Sequence, residues 1–188
     1  MKRYIAFLRG VNISGKNKIS MSELKEAFEN RNFAEVKTYL NSGNVIFSSD
    51  EEHMASLTKQ IELLIKEQFD LEIPVFVMSK EELEDILYHA PAWWGSGSKE
   101  IYDNLIFIMP PVTFTEVFAE IGEPKEELEK IQNYKNVVFW SFSRKDYQKT
   151  NWWSKTANAS VSGKLTIRTA NTVRKIVKMP GEARLFLK

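Results

Sequence analysis

An α+β fold made of two successive halves is predicted by three observations. Short apolar strand-like runs alternate with amphipathic helical stretches along all 188 residues. The order strand-helix-strand-strand-helix-strand can be read twice. A stretch rich in Pro, Gly and Ser, residues 90–98, stands between the two readings.

The elements follow in order. Residues 4–8 are apolar and aromatic and predict a buried strand. A polar loop leads to Ser20, which with Glu23 forms a capping-box pattern; Met21, Leu24, Ala27 and Phe28 then share one helical face. Residues 35–41 alternate as a strand, Ser42-Gly43-Asn44 is a tight turn, and residues 45–47 return as the second arm of a hairpin. Residues 51–69 predict an amphipathic helix and residues 73–78 a strand. Ser79 and Glu82 cap a short helix carrying Leu83, Ile86 and Leu87.

Beyond the linker, residues 103–109 predict a strand and Thr113 with Glu116 caps a helix. Residues 127–132 are placed as a strand by their position, although their Glu and Lys content is helical. Residues 133–136 predict a turn and 137–142 a strand. A helix over 151–159, a strand over 165–168 and a helix over 171–179 complete the second half. The prediction is therefore two ferredoxin-like βαββαβ units in tandem, a structural duplication, each followed by a short helix. The first spans 1–90, the linker 91–102, the second 103–180 and a tail 181–188. The rival is one continuous α+β domain with a larger mixed sheet.

A hydrophobic share of 43% and a charged share of 27% describe an ordinary globular chain. With no cysteine there is no disulfide framework and no thiolate metal site. No apolar run approaches the ~18 residues of a membrane span, and the start is too short for a signal segment. A soluble cytoplasmic protein without membrane contact is expected. The net charge of +1 conceals three blocks: +4 over residues 1–48, −13 over 49–133 and +10 over 134–188. Acidic and basic blocks can pair within one fold, or the basic one can face an anionic partner such as nucleic acid.

The richest stretch for chemistry is Arg9-Gly10-Val11-Asn12-Ile13-Ser14-Gly15-Lys16-Asn17-Lys18. Gly10 to Lys16 matches the G-x-x-x-x-G-K phosphate loop. Asn17 stands where Ser or Thr would hold Mg²⁺, the helix begins only at Ser20, and no apolar strand ends in a suitable Asp. A nucleoside-triphosphate hydrolase of this type is excluded. Binding of an anion, or a β-to-α turn needing Gly and Asn for its angles, stays open. Ser42 and Asn44 are second candidates, though a hairpin turn explains them. The stretch 149–158, with Trp152, Trp153 and Lys155, and then Arg168 and Asn171, interleaves cations with aromatics as single-strand binders do. Packing of those tryptophans on the sheet explains it equally. Trp93-Trp94 is either a docking patch or buried in the linker. The two histidines, His53 and His89, have no metal-ligand spacing, and no nucleophile elbow is present.

Phe7-Leu8-Arg9-Gly10-Val11-Asn12, Gly15-Lys16-Asn17-Lys18 and Thr38-Tyr39-Leu40-Asn41-Ser42-Gly43-Asn44-Val45-Ile46-Phe47 together resemble the family known as domain of unknown function 1697. Ser154-Lys155-Thr156-Ala157-Asn158 and Thr166-Ile167-Arg168-Thr169-Ala170-Asn171-Thr172-Val173 resemble its C-terminal signatures. The resemblance implies a bacterial cytoplasmic protein with two ferredoxin-like units and implies no activity.

The function expected is non-catalytic binding of an anionic, phosphate-bearing ligand, a nucleotide or nucleic acid. Arg9, Asn12, Lys16, Lys18, Ser42, Asn44, Lys155, Arg168 and Asn171 are the expected ligand-binding residues, with no cofactor and no metal. Two alternatives remain: an enzyme on a small phosphorylated or carboxylated substrate held between the units, and a structural or oligomerising module. No catalytic constellation is recognisable, and oligomeric state has no signature in the sequence.

Overall fold

The computed structural model describes residues 1–180; the predicted tail lies outside the described residues. The elements are β1 (Lys2–Leu8), α1 (Met21–Asn30), β2 (Ala34–Tyr39), β3 (Asn44–Ser49), α2 (Met54–Phe69), β4 (Val75–Ser79) and α3 (Lys80–Tyr88). They continue with β5 (Ile101–Ile108), α4 (Phe114–Ile121), β6 (Glu129–Tyr134), β7 (Val137–Ser143), α5 (Asn151–Thr156), β8 (Leu165–Thr169) and α6 (Ala170–Val177). The fold is mixed α+β with two four-stranded antiparallel sheets, ordered β2-β3-β1-β4 and β6-β7-β5-β8, rather than one larger sheet. The chain divides into two compact units, one of Met1–Glu82 with the chain from Lys175, the other of Leu83–Arg174.

In the first unit, Tyr4, Ala6, Leu8, Val45, Phe47, Val75 and Val77 face α1 and α2. Leu24 and Phe28 of α1, and Leu57, Ile61, Leu64 and Ile65 of α2, close that core. Ile5, Phe7 and Ile46 point to the other face and are equally buried. Burial on both faces is why β1 and β3 read as unbroken apolar runs instead of alternating ones. Ser20 caps α1 as expected, accepting from the Glu23 N–H. The start of α2 lies three residues beyond the predicted one. The Glu51 carboxylate turns to accept the His53 N–H at 2.8 Å and holds that segment off the helix; the same bond draws the Glu51 pKa below the ordinary carboxylate value. In β2 a bulge places Glu35 at φ 52°, and its carboxylate meets Arg3 at 3.0 Å.

In the second unit, Ile106, Ile108, Val138, Trp140, Phe142 and Leu165 face Val117 and Ile121 of α4 and Trp152 of α5. Reciprocal capping boxes open α3, between Ser79 and Glu82 of the first unit, and α4, between Thr113 and Glu116 of this one. The second box also lowers the Glu116 pKa, chiefly through the Thr113 backbone N–H. α5 is shorter than predicted. It ends at Thr156, and Ser160 donates from its backbone and hydroxyl to the Glu120 carboxylate, carrying the chain into a 3-10 turn, Ser160–Lys164. The predicted linker packs as part of this unit: Trp94 is 3% exposed and its indole N–H donates to the Asn104 carbonyl at 2.7 Å. Among the described residues no helix is long and apolar enough to cross a membrane.

Candidate anion-binding loop

The loop between β1 and α1 is built by side chains that replace regular structure. Gly10, Asn12, Ser14, Gly15 and Asn17 all have positive φ. That backbone region excludes most side chains, which accounts for a composition of Gly, Asn and Ser. Asn12 is the central tie. Its Nδ2 donates to the carbonyls of Ile19 and Asn41, both at 2.9 Å, and its Oδ1 accepts the Ile19 N–H at 2.9 Å. The start of the loop, its end and the hairpin turn are thereby joined through one amide. Asn17 Nδ2 donates to the Gly10 carbonyl at 3.0 Å and closes the remaining gap. The turn is drawn in equally closely: the Leu8 N–H donates to the Gly43 carbonyl, and a Cβ on Gly43 would come within 2.7 Å of the Leu8 Cβ. Gly43 is thus required by contact as well as by its φ of 73°.

This arrangement leaves donors facing outward. The backbone N–H groups of Ser14, Gly15, Asn17 and Lys18 have no acceptor among the described residues. The ammonium groups of Lys16 and Lys18 are exposed and likewise without a partner there. An open hollow of about 730 Å³ lies alongside, bounded by Asn12, Gly15, Lys18, Ser20, Glu23 and Asn41. Ile13 and Leu40 flank these segments at 59% and 54% exposure. Amides and cations held on a pinned loop can receive an anion with little reorganisation.

The other predicted residues occupy different positions. Arg9 is half-buried at the end of β1, its N–H donating to the Pro74 carbonyl. Asn44 is fully buried and donates to the Tyr39 carbonyl and the Ser42 hydroxyl, so this pair clamps the hairpin turn. Lys155 Nζ donates to the Ile121 carbonyl at 3.0 Å, beside Asn151 Nδ2 on Ile121 and Glu123 and the Trp152 indole on Gly122. The motif that suggested stacking on bases thus caps the C-terminus of α4, where exposed carbonyls attract a cation. Arg168 is 8% exposed and bonds to the Thr166 hydroxyl and the Ile167 carbonyl; burial lowers its pKa to about 10, which leaves it charged at neutral pH. Asn171 is exposed on the first turn of α6. The fold therefore gathers Arg9, Asn12, Lys16, Lys18, Ser42 and Asn44 in the first unit, whereas Lys155, Arg168 and Asn171 belong to the second.

Glu129 escaped sequence reasoning altogether. It is 2% exposed, and its carboxylate accepts the N–H groups of Lys125, Asn151 and Trp152 and the Trp140 indole N–H. It caps α5 from a neighbouring strand. Its surroundings in the sequence, rich in Glu and Lys, conceal it because all of its partners but Lys125 lie 11 to 23 positions away. Asp85 is a milder case. It accepts from Lys135 at 2.7 Å and Tyr134 at 3.0 Å, and these bonds, the lysine first, hold its pKa below the ordinary value. His89 stacks on Tyr134 beside it, at a ring separation of 4.5 Å.

Comparison with known proteins places this geometry in a family. A family model described as a protein of unknown function, DUF1697, matches residues 1–139, the span that holds the loop and the hairpin turn. A solved structure, described as a conserved bacterial protein of Streptococcus pneumoniae, superposes with a TM-score of 0.81 at 29% identity, over 94% of this chain and 97% of that one. No curated protein matches the chain.

Proposed function

The chain belongs to the DUF1697 family, and from that premise we propose that it is a non-catalytic binding protein for an anionic, phosphate-bearing ligand, a nucleotide or a single-stranded nucleic acid. The observation that carries the reading is the pinned loop: unmatched backbone amides at Ser14, Gly15, Asn17 and Lys18 share it with two lysines that have no partner among the described residues. Lys16 and Lys18 supply charge, the amides supply directed hydrogen bonds, and Asn12 keeps the loop in place. Lys155 and Arg168 support the second unit's structure in this reading, and Arg9 extends the positive field of the loop.

Fluorescence anisotropy with a labelled oligonucleotide tests it. Contact with three phosphates predicts an affinity that falls about 20-fold between roughly 50 and 200 mM salt. The double substitution Lys16→Ala, Lys18→Ala is expected to flatten that dependence by about 1.4 in log–log slope. Absence of wild-type binding at the lower salt rejects the nucleic-acid form of the reading, and an unchanged slope in the double variant rejects the loop as its site.

The same proposal takes the two units as a tandem duplication of a ferredoxin-like βαββαβ motif. The matching sheet orders, in which the second of each unit's four strands lies at one edge and the fourth at the other, support it. A cytoplasmic location is part of the proposal and rests on the absence of cysteine.

A further inference from the structure

A second place on the molecule combines an open guanidinium with a shaped hollow, and it lies entirely within the second unit. The hollow, about 190 Å³, is bounded by Gly97, Ser98, Tyr102, Asp103, Arg144 and Asn171. Arg144 follows β7, and its N–H donates to the Glu100 carbonyl, so its backbone continues the pairing of β5 with β7. Its guanidinium lies over the Tyr102 ring at 3.8 Å. Tyr102 is in turn packed against Phe142, with ring centroids 5.5 Å apart. Stacking restrains the guanidinium without using its N–H donors, and the residue has no carboxylate partner among the described residues.

The opposite wall is organised by Asp103, which is 8% exposed. One of its oxygens accepts the Ser141 hydroxyl, and the other accepts the Ser96 N–H at 3.1 Å and the Ser96 hydroxyl. That bond shapes the loop so that Gly97 has φ 76° with nothing within 4 Å of where a Cβ would sit, and its N–H has no acceptor among the described residues. The Asn171 side chain is exposed on the same rim. Three sources of donors therefore surround one small space: a planar fork, a backbone amide and a side-chain amide.

We propose that this hollow binds a small, singly charged carboxylate, held by Arg144 and by the Gly97 and Asn171 amides. A planar carboxylate matches the guanidinium fork in two parallel hydrogen bonds. The hollow has room for a compact molecule only. The Asp103 carboxylate beside it disfavours a multiply charged anion such as phosphate, since like charges repel strongly where water is partly excluded.

The test is a titration of the full chain with sodium acetate, followed by backbone and arginine-side-chain amide NMR, against sodium chloride at matched ionic strength. Saturating shifts are expected at Gly97, Ser98 and the Arg144 side chain with acetate and not with chloride. Arg144→Gln is expected to weaken binding at least tenfold. Arg144→Lys should fall in between, because a lysine keeps the charge and loses the fork. Lys16→Ala with Lys18→Ala must leave the acetate curve unchanged, which separates this site from the loop of the first unit. Linear, chloride-like shifts in the wild type, equal saturation in Arg144→Gln, or tighter binding of inorganic phosphate than of acetate each overturns the proposal. Arg144 is exposed, so its variants are expected to fold, and an unchanged spectrum away from the hollow verifies that they have.

Discussion

The two units share an order of strands but are stabilised differently. The first covers its sheet with helices of 10 and 16 residues and closes the core with aliphatic and phenylalanine side chains. The second has helices of only 8 and 6 residues in the same places. It compensates with bulk, burying Trp140 and Trp152, and with polar bonds: Glu129 caps the start of α5, while Asn151, Trp152 and Lys155 cap the end of α4. Short helices leave a larger share of their backbone groups without intrahelical partners, so side chains must supply them. A consequence reaches function. Lys155, in the more basic half of the chain, bonds to the Ile121 carbonyl, while Lys16 and Lys18 of the first unit have no partner among the described residues.

That contrast can be broken at three points, of decreasing size. Phe28→Ala removes a ring in contact with Phe33 and Phe47 and fully shielded from water. A loss of about 3–5 kcal/mol is expected, read by urea unfolding and by hydrogen exchange of the β3 amides. A loss below about 1 kcal/mol would mean that apolar packing is not what holds the first unit. Glu129→Ala strips the acceptor from several buried N–H groups and should cost about 3 kcal/mol. All five tryptophans lie in the second unit, so their fluorescence follows this transition. Glu129→Gln, which keeps an acceptor, should lose clearly less; equal losses would assign the effect to charge rather than to capping. Lys155→Met keeps most of the stem and removes one donor from the α4 terminus, for an expected loss of about 1 kcal/mol. An unaltered melting temperature would release Lys155 from its capping role and return it to the list of ligand contacts.

The capping boxes at Ser79 and Thr113 and the helical face of Leu24, Ala27 and Phe28 were legible because their partners are three or four residues apart. The candidate loop was legible for the same reason: its glycines and asparagines answer to local backbone angles. The strand at Glu129 was placed two residues early, at 127: its own composition is helical, and its bounds are set by pairing with β7, from Glu129 against Phe142 to Tyr134 against Val137. The anticipated partners of Lys155 and Arg168 were phosphates. The bonds they make are to Ile121, Thr166 and Ile167, and the contact between Lys155 and Ile121 crosses 34 residues.

Periodicity, capping and turn chemistry act over a few residues, and the order of elements and their division between two sheets followed from them. Which cations stay open and which close a helix depends on contacts between distant segments. The Asn12 tie to Asn41, the Glu129 carboxylate under α5 and the stack of Arg144 on Tyr102 each require chain segments that only folding brings together. Residue type sets what a side chain is able to donate or accept; tertiary packing sets whether a neighbour has already taken it.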